Sequence, residues 1–364
     1  IKSTCIMLNY AINSFIEQMK QTEITDKLQM LLIGIEREDY LTLEIEENAR
    51  KILENVKYID DLEAFLKVLE HKSCEFIVKD IKSLTETSHT LLEKILTLPI
   101  DRRTILASKF ITVINHHLKY SQHEVNRKEI DKIKYSIIEK VARSLDKEKS
   151  VDILNFLLNL RKYSFYEIND KLMKKITQVL LENTSILENL SPLDCLNLIK
   201  NIIYYSEHHP WDLVENLKKI TSHIHHKLEE LQINEITRNV SPELLLSHPF
   251  YEILPQKILN EAKNLVASKV KKTITTILVE EDFNELIKTL RELPAEVKDE
   301  IAENIVWPLL RKKIDEKAKE NINNAIDIIE IILDNLTFGC YFEKFKRKLR
   351  AKKVTLNKKL KNES

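Results

Sequence analysis

The stretch from Tyr341 to Ser364 carries ten basic side chains, Lys344, Lys346, Arg347, Lys348, Arg350, Lys352, Lys353, Lys358, Lys359 and Lys361, against Glu343 and Glu363. Cations at this density suit one chemistry above others. Each can neutralise a phosphate and release its condensed counterion, a gain that needs no particular base sequence. The ten are therefore the expected phosphate contacts, with RNA as the ligand. Phe345, Leu349, Leu356 and Leu360 draw a narrow apolar seam along the same segment. That seam has no Trp, so a membrane surface is not the expected partner. A solvated terminal helix is the alternative. An isolated helix of like charges repels itself, so disorder without an anionic partner is expected, and deletion of 344–364 is expected to leave the body folded.

Other reactive groups are less organised. His223 and His226 share a helical face and could ligate a metal, but His208 and His209 precede them by a helix length of about 21 Å. No metal site is expected. Tyr120-Ser121, Tyr163-Ser164 and Tyr205-Ser206 recur at equivalent positions. Their rings could stack on bases or could cap a core with the hydroxyl in water; the second is the expectation. Cys5, Cys74, Cys195 and Cys340 lack ligand spacing and read as free thiols. No Ser, His and carboxylate arrangement makes a catalytic triad. Glycine, at 2 residues, is too scarce for phosphate-cradling loops. No catalytic residue and no cofactor are expected; the chain reads as a binding protein, not an enzyme.

What would position these groups is a repeat. In "SPLDCLNLIKNIIYYSEHHPW" (191–211), Ser191 is placed to cap a helix, Pro192 to open it and Asp194 to close a capping box. Leu193, Leu196, Leu198, Ile199, Ile202 and Ile203 follow at helical spacing, and His208-His209-Pro210 ends the run. A second helix is predicted from Trp211, with Leu213, Leu217, Ile220, Ile224 and Leu228 inward. An earlier copy places Asp152, Leu154-Asn155 and Tyr163-Ser164 in the same slots, 42 residues upstream. A third ends at Tyr120-Ser121, and fainter copies fall at 65–73, 285–294 and 328–337. Hairpins repeating at this period cannot each bury their own stripe and must stack. The expected fold is all-α, a right-handed α-solenoid of antiparallel hairpins with a period near 42 residues. Residues 1–99 form degenerate hairpins, 100–340 the main repeats and 341–364 a basic helical extension. Near 241–255 the repeat is compressed, and a bend is expected there.

Charge is segregated along this frame. The whole chain balances 57 basic against 57 acidic residues, so the basic end leaves the remainder net acidic. A near-neutral body argues against RNA lying along an entire groove. Residues 101–150 are basic, which makes them a second candidate contact.

The unit from Leu190 to Ile224 resembles the heptatricopeptide-type repeat of the FAST-kinase-like and RAP-domain group of organellar RNA-associated proteins. Leu190-Ser191 and Asp194 match the opening of that repeat, and Asp152-Ile153 matches it in the earlier copy. The likeness covers about residues 100–235, and a RAP domain is not visible at the C-terminus. It implies a mitochondrial protein that holds RNA or a ribonucleoprotein, such as an accessory subunit of a mitochondrial ribosome, with neighbouring proteins on its faces. Generic HEAT-like hairpins share most of the pattern, so a protein-binding scaffold without RNA is the alternative. The sequence opens on Ile1, so any targeting segment is expected upstream of it.

Overall fold

A computed structural model describes residues 2–36, 51–70, 81–120, 124–160, 167–336 and 341–363. All regular structure among them is helical, apart from an isolated parallel bridge between Ile168 and Ser206. The longer helices are α1 (Lys2–Glu36), α2 (Leu62–Glu70), α3 (Ile81–Leu96), α4 (Ile100–Tyr120), α5 (Glu124–Leu145), α6 (Ser150–Leu158) and α7 (Asp170–Leu181). They continue as α8 (Pro192–Tyr205), α9 (Trp211–Glu230), α10 (Gln256–Glu280), α11 (Phe283–Glu292), α12 (Trp307–Glu320), α13 (Ile322–Asn335) and α14 (Glu343–Glu363). Among the described residues, no helix is long and apolar enough to cross a membrane.

The helix boundaries follow from local chemistry. At α8 the Ser191 hydroxyl accepts the Asp194 backbone N–H at 3.1 Å and donates to the Asp194 carboxylate at 2.6 Å. This satisfies one of the amides that have no partner within a first turn. Leu196, Leu198, Ile199, Ile202 and Ile203 are then buried, but Leu193 is 43% exposed. Its place in the apolar stripe is corrected: it sits in the opening turn, on the solvent side of the core. Leu213, Leu217, Ile220, Ile224 and Leu228 on α9 are all buried. The compressed stretch near 241–255 forms two single turns, Pro242–Leu245 and Phe250–Ile253.

The chain divides into two compact units, one of Ile1–Ile186 with Asn197–Asn216, the other of Leu187–Leu196 with Leu217–Ser364. Within the first, helices pack on the next and on the next but one: α3 on α4 and α5, α4 on α5 and α6, and α7 on both α5 and α6. Each stripe of this ladder is thereby covered by its neighbours. Polar links cross it at long separations. Asn201 donates to the Leu157 carbonyl at 2.9 Å, 44 residues away, and Asn216 to that of Lys174 at 3.2 Å, 42 residues away. Arg103 pairs with Glu148 at 2.8 Å and donates to the Ser144 hydroxyl at 3.1 Å.

The second unit repeats the ladder, with α10 on α11 and α12 and with α13 on α11, α12 and α14. Arg291 donates to the Asn335 carbonyl at 2.6 Å across 44 residues, and Lys263 pairs with Glu300 at 3.0 Å across 37. Glu281 caps α10 in the left-handed region (φ 60°), a conformation usually left to glycine. Its carboxylate meets both Lys313 and Lys317 at 2.8 Å. A π-helical turn, Ala302–Val306, runs into α12. Pro308 at the start of that helix has no N–H to give and would crowd the preceding turn of an α-helix, which the wider turn relieves.

A candidate anion-binding face on the C-terminal helix

α14 begins where Phe342 adopts a left-handed conformation (φ 67°) and buries its ring. The Phe342 N–H donates to the Asp299 carboxylate at 2.5 Å, and so ties the start of the helix to the short Lys298–Ile301 turn. Phe345, Leu349 and Leu356 are buried, and the Phe345 ring meets Trp307 of α12 edge-on at 6.2 Å. The tail is thus ordered beside anionic partners, the condition on which its order was expected. The helix packs through its apolar seam, and carboxylates of its own unit screen its charge.

Those carboxylates sort the ten cations into two sets. Lys348 pairs with Glu303 at 2.8 Å, Lys352 with Asp315 and Lys353 with Glu330. Lys346, whose side chain is only 7% exposed, pairs with Glu343 at 2.7 Å. Its place is fixed by geometry, for it lies on the same side of the helix as Leu349. Lys344 reaches Glu303 only at 4.0 Å and is 77% exposed. The hydrogen bond from Lys348, with Lys344 adding charge, holds the Glu303 carboxyl below the usual range. Lys346 does the same for Glu343, helped by Arg350 and Arg347.

Arg347, Arg350, Lys358, Lys359 and Lys361 are exposed and form no ion pair among the described residues. At 3.6 residues per turn, Arg347, Arg350, Lys358 and Lys361 fall within about 80° of one another, opposite the buried seam. They line about 21 Å of helix at a rise of about 1.5 Å per residue. Val354, 54% exposed, sits in the middle of this face. No carboxylate interrupts it between Arg347 and Lys361. Four exposed cations on a well-anchored rod, in two pairs about 12 Å apart, are suited to phosphates along a backbone.

Other candidates resolve differently. Tyr205 and Ser206 are buried, and the Ser206 hydroxyl donates to the Ile202 carbonyl, so this corner closes the core. Tyr204 beside it is 71% exposed. Tyr163, Ser164 and Ser121 lie outside the described residues, as does the side chain of Tyr120. In the basic segment 101–150, Arg103 and Lys109 are buried, so part of its charge serves the fold rather than a ligand.

Sequence reasoning did not join Asp170, Glu207 and His208, whose ligand-type atoms lie within 4.8 Å of one another. Asp170 is 38 residues from His208, so only the fold unites them. The Ile168 N–H donates to the Tyr205 carbonyl at 2.6 Å and aligns the two segments. Asp170 accepts the His208 backbone N–H at 2.9 Å and lies 3.3 Å from its ring, while Asn169 donates to Glu207 at 3.4 Å. These bonds account for the arrangement as a clasp between the start of α7 and the end of α8.

Comparison with protein-family models, with curated proteins and with solved structures finds no match to this chain.

Proposed function

We propose that the chain is a non-enzymatic, RNA-associated helical-repeat protein, an accessory subunit of a mitochondrial ribosome or of another organellar ribonucleoprotein. The observation that carries this reading is the outer face of α14, where Arg347, Arg350, Lys358 and Lys361 stand exposed opposite a buried seam. Charge without aromatic rings or catalytic groups suits binding to a phosphate backbone. The repeat reading, a right-handed solenoid with a period near 42 residues, is supported by the helix ladder in each unit. It is supported too by links such as Asn201–Leu157, Asn216–Lys174 and Phe342–Asp299, at separations of 44, 42 and 43 residues. The resemblance of Leu190–Ile224 to the organellar repeat supplies the compartment.

A second reading, a HEAT-like scaffold that binds protein only, draws on α1. Ile12, Phe15 and Met19 there are 47%, 62% and 59% exposed and fall on one helical face. Contiguous apolar surface of this kind commonly meets another protein. In a ribonucleoprotein both surfaces would be used, RNA by α14 and protein by α1.

Gradient sedimentation of the tagged protein from organelle lysate, with and without ribonuclease, separates the readings. The RNA reading expects migration with a large particle that ribonuclease disperses. Migration unchanged by ribonuclease favours the scaffold.

A further inference from the structure

We infer that the α14 face takes the backbone of a nucleic-acid duplex rather than a single strand, and that it does so without reading sequence; the inference rests on the phosphate-binding reading above. Single strands are held by aromatic platforms, with stacking contributing about 1–3 kcal/mol per base, and this contribution offsets the cost of ordering a flexible chain. The exposed face of α14 from Arg347 to Lys361 offers none. Its residues are Arg347, Arg350, Ala351, Val354, Lys358 and Lys361, and its one aromatic seam residue, Phe345, is buried against Trp307. Tyr341, just ahead of the helix, has its ring beneath the Lys298 ammonium at 5.5 Å.

What remains is charge on a rigid rod, and charge alone favours the denser polyanion. Counterion release per phosphate contact is larger for a duplex, with a slope of about −0.9 per contact against about −0.7 for a single strand. A duplex also presents its phosphates already ordered, so the roughly 21 Å row of cations meets a row that needs no arranging. The anchoring described above keeps the rod fixed: Phe342 on Asp299, Lys348 on Glu303 and Lys352 on Asp315. Nor does the face carry a bidentate arrangement aimed by neighbouring carboxylates, so neither base identity nor the 2′-hydroxyl is selected.

The test is fluorescence-anisotropy titration of the whole protein at several salt concentrations. The probes are a 20-base-pair RNA duplex, a DNA duplex of the same length and an unstructured 40-nucleotide RNA of matched charge. The expected result is at least tenfold tighter binding to both duplexes, with a steeper salt slope than for the single strand. The quadruple variant R347Q/R350Q/K358Q/K361Q, which touches no buried group, is expected to abolish that preference. Equal affinity for single strand and duplex overturns the inference and leaves the phosphate-binding reading in place. Absence of binding to all three probes overturns both.

Discussion

Lys348 of α14 and Glu303 of the π-helical turn before α12 stand 2.8 Å apart, 39% and 28% exposed. The pair is one of several that fix a basic helix on an otherwise acidic chain, and it separates the cations that hold the helix from those that face outward. Half-exposed pairs contribute modestly. A double-mutant cycle of K348A and E303A should give a small favourable coupling that declines with added salt. The reversal E303K should lower the melting temperature, and adding K348E should restore most of the loss.

The seam, not the charge, carries most of the docking. Leu349 and Phe345 are almost wholly enclosed. Replacing Leu349 by Ala should cost about 2–5 kcal/mol, and Phe345 by Ala about 3–5 kcal/mol, read by urea denaturation. For the same reason, deletion of 344–364 should destabilise the second unit. Removal would uncover the face of α13 on which α14 packs. A truncated chain that melts like the full one would contradict this packing.

Acid should loosen the same contact. The hydrogen bond from Lys348 keeps the Glu303 carboxyl below its ordinary 4.5, and that from Lys346 does so for Glu343. A carboxyl whose folded pKa is depressed stabilises the fold fully above its unfolded value and loses that contribution as pH falls through the folded one. The melting temperature should thus be level from neutrality to about pH 5.5 and fall below about 4.5. In E303Q/E343Q the fall should be shallower. Both groups face water, so the difference should be small and should shrink further in high salt.

Burial pushes the Cys195 thiol up to about 11, with the nearby Lys227 opposing part of the rise. At pH 8 the group is a protonated thiol inside the core and a poor nucleophile. Peptide mapping after iodoacetamide treatment should find Cys195 unmodified in the folded protein and modified in urea. Rapid labelling of native protein would show that the core around α8 opens.

Local rules made much of the fold legible. Ser191, Pro192 and Asp194 announce α8, and the alternation of apolar residues through Leu228 marks α9, because capping and helical period act over a few residues. Leu193 was misplaced, since spacing alone does not say where a first turn leaves the core. The charge on α14 was visible, but its division was not. Lys346 lies on the seam side of a helical wheel, a signal present in the sequence. The partners Glu303, Asp315 and Glu330 could be found only once α14 was docked, because nothing local links residues so far apart. Likewise Arg103 reads as a surface cation until Glu148 arrives beside it.

The outer face of α14 is proposed to bind phosphates through Arg347, Arg350, Lys358 and Lys361. The most direct measurement compares wild type with R347Q/R350Q/K358Q/K361Q for binding to one RNA duplex across a salt series. The four side chains are exposed and unpaired among the described residues, so circular dichroism and melting should be unchanged. The variant should bind more weakly, with a plot of log affinity against log salt flatter by about 3 to 4, close to 0.9 for each contact removed. Equal affinities and equal slopes for the two proteins would contradict it.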